Sequence, residues 1–206
     1  MTTAQPIPGG GDTTVDWTTQ LADQLAWHWT NHLRPRLEGL NDPEYFWEPV
    51  RGCWNIRLRG TSSAPITAGS GAYRADFAFP EPDPPPVTTI AWRLGHVIVG
   101  VLGMRVAGHF GGPPISYESF DYAGTAAEAL TQLDDVYASW ITGVRSLTGD
   151  ELSRPSGSDE APFAHYPMAA LVLHISREVI HHGAEILLLR QLYRAHPNKP
   201  VGDGAG

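Results

Sequence analysis

The run Leu171–Tyr193, LVLHISREVIHHGAEILLLRQLY, limits the fold more than any other part of the chain. It has no Pro, and its only Gly is Gly183. Leu173, Val179, Ile180, Ile186, Leu187, Leu189 and Leu192 recur at helical spacing, which predicts one long amphipathic helix. The run also carries three of the chain's nine histidines within nine positions. On a helix, His174, Glu178 and His182 are successive i, i+4 neighbours, with His181 one step to the side.

An imidazole and a carboxylate a turn apart suit a divalent cation such as zinc, which accepts nitrogen and carboxylate oxygen. Neighbouring His and Glu also form ordinary solvated polar faces. Here the polar row lies in an otherwise apolar helix, which suggests that both faces are covered. A buried row of this kind is costly without a partner, and a metal resolves the cost. The order is E-x-x-H-H rather than the H-E-x-x-H of zinc proteases. Glu178 is therefore better placed to be a ligand than a base.

Composition narrows the class. The chain has 206 residues, 42% of them hydrophobic, enough for one domain with a sizeable core. No apolar run is expected to cross a bilayer. The N-terminal stretch lacks a basic segment followed by an apolar one, so no signal peptide is expected and a soluble cytoplasmic protein is the default. The single cysteine, Cys53, excludes an intramolecular disulfide and a Cys-based zinc finger. No basic motif surrounds it, so a buried, inert thiol is expected. A net charge of −8 argues against nucleic acid and anionic membranes as partners.

Residues 1–14 are rich in Gly, Thr and Pro and read as a disordered tail. Residues 15–195 read as the folded domain, and 196–206 as a flexible tail. Asp16 is a cap for a helix from Trp17 to about Leu33, with Leu21, Leu25, Trp29 and Leu33 on its core face and a kink at Pro35. His28 and His32 lie i, i+4 on it but lack an acidic companion. Asp42-Pro43-Glu44 starts a short helix. Trp47 and Trp54 are expected to pack over the end of the helices. Residues 61–86 form a long Gly/Ser/Pro-rich connection with a short extended piece at 73–79. Thr88 or Thr89 caps a second helix, from Val87 to about Phe110. His96 sits in the apolar part of that helix, as a satisfied core residue or as a third ligand. A third helix runs from Ala123 to about Leu147, followed by a polar loop over 148–162. Four long helices without a convincing sheet predict an all-α four-helix bundle with long connections.

Three segments carry a resemblance: the LGH ending at His96, the YFWEPVRGCW stretch, and REVIHHGAEILLLR, which is the most specific. With them the chain resembles the DinB-like superfamily of metal-binding four-helix bundles. That group includes the DinB and YfiT proteins, the metal-binding domain of mycothiol-dependent maleylpyruvate isomerase, and thiol S-transferases. The resemblance spans the chain from about Trp17 to Tyr193.

It implies a metal held by His96, Glu178 and His182, the Glu-x-x-x-His pair matching the isomerase branch rather than the His pair of many DinB proteins. It leaves His174 and His181 beside the ligands or in the pocket, with one of them replacing Glu178 should Glu178 only support the ligands. Zinc is the first choice of metal and nickel the second. Three protein ligands leave an open position, the catalytic arrangement.

The expected function is a metal-dependent S-transferase or isomerase that uses a low-molecular-weight thiol of the mycothiol type on a small electrophile. Arg93 and Arg177 are candidates to neutralise a substrate carboxylate. The alternatives are a metal-dependent hydrolase and a non-catalytic, stress-associated metal-binding bundle. Relatives are often dimers, so a homodimer is compatible.

Overall fold

The computed structural model describes residues 15–195. The expected tails, 1–14 and 196–206, lie outside the described residues.

Helix α1 runs Trp17–His28, widens into a π-helical turn over Trp29–Leu33 and closes with Arg34–Arg36. Asp16 caps it, its carboxylate accepting from the Thr19 N–H at 3.1 Å and the Thr19 hydroxyl at 2.6 Å. The wide turn precedes Pro35, which lacks an N–H and whose ring crowds the carbonyl four residues back. The expected kink therefore takes the form of a π turn. Arg190 Nη1 and Nη2 take up the Arg36 and Glu38 carbonyls at its end, and Arg190 Nε donates to buried Glu44 at 2.9 Å. Glu44 lies on the short helix α2, Asp42–Tyr45, capped by Asn41.

Helix α3 comprises Ile90–His96, a π-helical stretch Val97–Gly103, and Met104–Phe110. It starts three residues later than predicted because Thr89, whose side chain accepts from the Trp92 N–H, is its cap. Gly111, at φ +68°, ends it in the left-handed conformation that glycine adopts freely. By length and composition, Ile90–Phe110 is apolar enough to cross a membrane, against the sequence expectation. Most of its apolar length is buried inside the protein, as in a core helix.

Helix α4, Ala126–Ser146, is capped by Thr125 and buries Ala129, Leu133, Trp140 and Val144. Arg34 holds its Asp134 through two bonds of 2.7 and 2.9 Å. The predicted polar loop contains a one-turn helix, α5, Gly149–Ser153, closed by a Thr148/Glu151 capping box. Helix α6, Met168–Ala195, is the predicted long helix. Helices α1 and α3 each pack against both α4 and α6. Arg93 meets Glu185 and His96 meets His182, so α3 and α6 run antiparallel.

The all-α expectation needs one correction. The fold is mostly helical, but residues 56–77 form an antiparallel sheet of β1 (Ile56–Leu58), β2 (Ile66–Ala68) and β3 (Tyr73–Phe77), in the order β1-β3-β2. Ile56 pairs with Ala75 and Thr67 with Asp76. Asp76 is buried and accepts from the Asn55 N–H at 3.0 Å, Arg57 Nε at 2.8 Å and the Ser62 hydroxyl at 2.5 Å. Strands β1 and β3 rest on the start of α3, where Trp54, Phe77 and Trp92 form an aromatic cluster. The Trp92 indole N–H donates to the Asp76 carbonyl at 2.8 Å. Trp54 thus packs on the sheet, and Trp47 meets Tyr193 edge-on.

Candidate metal centre

The polar row of α6 faces the middle of α3. His96 and His182 meet edge to face, with ring centroids 4.8 Å apart. Their other ring nitrogens are occupied. His96 Nδ1 lies 2.8 Å from the Tyr117 hydroxyl. His182 Nδ1 lies 2.7 Å from Glu185 Oε2. A carboxylate only accepts, so the short contact makes Nδ1–H the donor and leaves the lone pair of His182 on Nε2. That nitrogen is 3.5 Å from Glu178 Oε2.

Both imidazoles are held neutral. Burial, helped by the nearby His182 and Arg93, pushes His96 down from 6.5 to about 4. Burial also lowers His182, although its bond to Glu185 works the other way. Burial works against the Glu185 carboxylate, but the His182 hydrogen bond and Arg93 still hold it below the usual range. Neutral imidazole is the form that ligates a metal. A neutral His182 has no proton on Nε2 to share with Glu178. With His182 neutral, both atoms at this 3.5 Å contact are acceptors, a pair that a cation between them would satisfy. Legs of about 2.0–2.2 Å to a tetrahedral ion place ligand atoms roughly 3.3–3.6 Å apart, so the pair fits the group.

Among the described residues, one three-residue group has ligand atoms mutually within 4.8 Å: His181, His182 and Glu185. It can hold a metal ion. His181 Nε2 lies 3.4 Å from Glu185 Oε1, but its side chain is 62% exposed.

The remaining sequence candidates fall around this core. His174 Nδ1 is 3.4 Å from Glu178 Oε1 and accepts from Arg177 Nη2 at 2.6 Å. Arg177 Nε is 3.7 Å from Glu178 Oε1 and its side chain is 69% exposed. Arg93 Nε lies 3.1 Å from Glu185, in an ion-pair contact, and its Nη1 is 3.4 Å from His182 Nδ1. Arg93 is thereby tied to a carboxylate of the protein itself. His28 and His32 stack on each other outside this cluster. His109 pairs with Glu160 at 3.0 Å. Cys53 is buried, and burial raises its thiol pKa.

Sequence reasoning missed two residues. Glu185 was visible in principle: it stands i+3 from His182 and i+4 from His181, the spacing that singled out Glu178. Tyr117 reaches the site from the loop between α3 and α4, and nothing in its local sequence signals this.

A family model of the DinB superfamily matches residues 24–186. The chain belongs to the DinB superfamily. The match contains α3 and every α6 residue of the cluster through Glu185. A search of the curated proteins and a search of the solved structures returned no match. DinB superfamily membership supports a metal-binding protein of this type, in agreement with the His181, His182 and Glu185 cluster on α6.

Proposed function

We propose that this DinB-superfamily chain is a divalent-metal-dependent enzyme built on a four-helix bundle, with His96, Glu178 and His182 as ligands and zinc or nickel as the metal. The observation that carries this reading is the edge-to-face meeting of the His96 and His182 rings across the two helices at 4.8 Å, with Glu178 Oε2 3.5 Å from His182 Nε2, although the ligand atoms of the three are not all as close to one another as those of His181, His182 and Glu185. Glu185 orients His182 through Nδ1, as a carboxylate does behind many metal-bound histidines.

A divalent ion at such a site lowers the pKa of a bound water or thiol and yields a nucleophile near neutral pH. The chain contributes the surroundings. A cleft of about 640 Å³ is lined by Arg105, Phe163, Tyr166, Leu171, His174 and Arg177 among others. Two of these, His174 and Arg177, touch Glu178 itself, so the cleft is room for a small electrophile next to the ion. The buried Cys53 thiol makes a poor nucleophile, so the sulfur is supplied by a low-molecular-weight thiol of the mycothiol type. The reaction is S-transfer or thiol-assisted isomerisation in the cytoplasm, with no nucleic-acid or membrane partner, and a homodimer is compatible with it.

A second ligand set, His181, His182 and Glu185, is favoured by the mutual closeness of its atoms. It suits a non-catalytic ion better, since all three ligands lie on one helix. Metal content and affinity of four variants decide between the sets. Under the first, His96→Ala, Glu178→Gln and His182→Ala lose the metal and His181→Ala keeps it. Loss in His181→Ala with retention in His96→Ala selects the second. A thiol-conjugation screen by mass spectrometry then tests turnover. Metal-dependent consumption of thiol only in the presence of an electrophile supports the enzyme. Thiol-independent turnover points to a hydrolase, and no turnover across electrophile classes leaves a binding protein.

A further inference from the structure

Gly100 sits inside α3, where glycine costs roughly 1 kcal/mol relative to alanine. The space beside it is filled. A Cβ there would lie 1.8 Å from the Tyr117 hydroxyl oxygen and 3.2 Å from His96 Nδ1. The missing side chain is thus what lets the phenol reach the imidazole, at 2.8 Å.

Tyr117 is itself held in place. Its ring lies within 9° of parallel to His96, with centroids 6.3 Å apart, and meets Phe77 of β3 at 5.2 Å. The Tyr122 hydroxyl donates to its backbone carbonyl at 3.3 Å. Trp92, one turn before His96, is also nearly parallel to the imidazole, at 12° and 5.6 Å. The sheet, the α3–α4 loop and a gap in α3 converge on one nitrogen of one histidine.

We propose that Tyr117 is a positioning residue for His96: its hydroxyl oxygen accepts the Nδ1–H, which fixes the tautomer with the lone pair on Nε2 and fixes the ring plane for the metal. This rests on the reading of His96 as a ligand. In water a free imidazole carries its proton mainly on Nε2, so the bond selects the less favoured tautomer. A neutral phenol can accept through its oxygen while keeping its own hydrogen.

The test uses the full chain and two readouts. Nitrogen NMR of the ring in metal-free protein reports the His96 tautomer without any metal. Competition with a chelator reports zinc affinity. Wild-type His96 should show Nδ1–H. Tyr117→Phe, which keeps the ring and removes one oxygen, should shift His96 toward Nε2–H and weaken zinc binding by about 10–100-fold. Gly100→Ala should do the same, because its methyl occupies the hydroxyl's place, and should add little on top of Tyr117→Phe. A role confined to packing would change thermal stability and leave the tautomer unmoved.

The proposal is overturned if wild-type His96 carries its proton on Nε2. It is equally overturned if both variants keep wild-type tautomer and affinity. His96→Ala separates the two levels. Unchanged zinc affinity in that variant removes the ligand reading, whereas lost affinity there with an unaffected Tyr117→Phe removes only the role of Tyr117.

Discussion

A histidine serves as a ligand only when neutral, and here burial rather than a charge partner keeps it so. His96 is pushed from 6.5 to about 4, chiefly by desolvation. In the metal-free protein this has a defined pH signature. The unfolded chain binds a proton on His96 below about pH 6.5 while the folded protein does not until about pH 4, so stability rises with pH between those values. As pH falls through that window the folded state loses roughly 3 kcal/mol from this residue alone. Denaturant unfolding of metal-free wild type and His96→Gln at pH 7 and pH 4.5 measures it. The wild type should lose more stability between the two pH values than the variant. Equal losses would show that His96 titrates normally. Much of this residue-level picture was readable beforehand. The i, i+4 geometry brought His174, Glu178 and His182 together because helix periodicity is local. Tyr117 was not readable because its contact is made from a loop across the α3–α4 connection.

At the scale of elements, the long helices were legible because their apolar periodicity is long and the caps of the first two, Asp16 and Thr89, are written in residue type. The sheet was not, beyond an extended piece near its third strand. Strands of three, three and five residues are too short to show alternation. The sheet is also held by a side chain rather than by pattern: Asp76 ties Asn55, Arg57 and Ser62 together. Removing that carboxylate strands a buried N–H and one face of Arg57, a loss of about 3 kcal/mol. Asp76→Ala should therefore lower the melting temperature by roughly 6–12 °C. Because Trp92 donates to the Asp76 carbonyl and lies against His96, zinc affinity should fall as well. Hydrogen exchange would show faster exchange in β1 and β3 with α4 unaffected. A variant with wild-type melting and exchange would mean that the sheet is held by its apolar face alone.

For the molecule as a whole, the ligand set decides what the ion does to the fold. An ion shared by His96, Glu178 and His182 joins α3 to α6, and α6 is in turn fastened to the end of α1 through Arg190 and Glu44. An ion on His181, His182 and Glu185 fastens α6 only to itself. Any ligand that binds only the native state stabilises it by mass action, about 4 kcal/mol at a thousandfold excess over the dissociation constant. For a domain of this size that is a rise in melting temperature of roughly 8–16 °C, reversed by chelation and restored by added metal. The size of the shift does not distinguish the two sets, since it depends on affinity alone, but its location does. With the cross-helix site, stripping the metal should speed amide exchange around His96 in α3 as well as around Glu178 and His182 in α6. With the single-helix site, only α6 should respond. Exchange measured on metal-loaded and chelated protein at equal pH therefore reads the ligand set without reference to activity. A response confined to α6 would sink the cross-helix arrangement, since an ion that grips α3 cannot leave without loosening it.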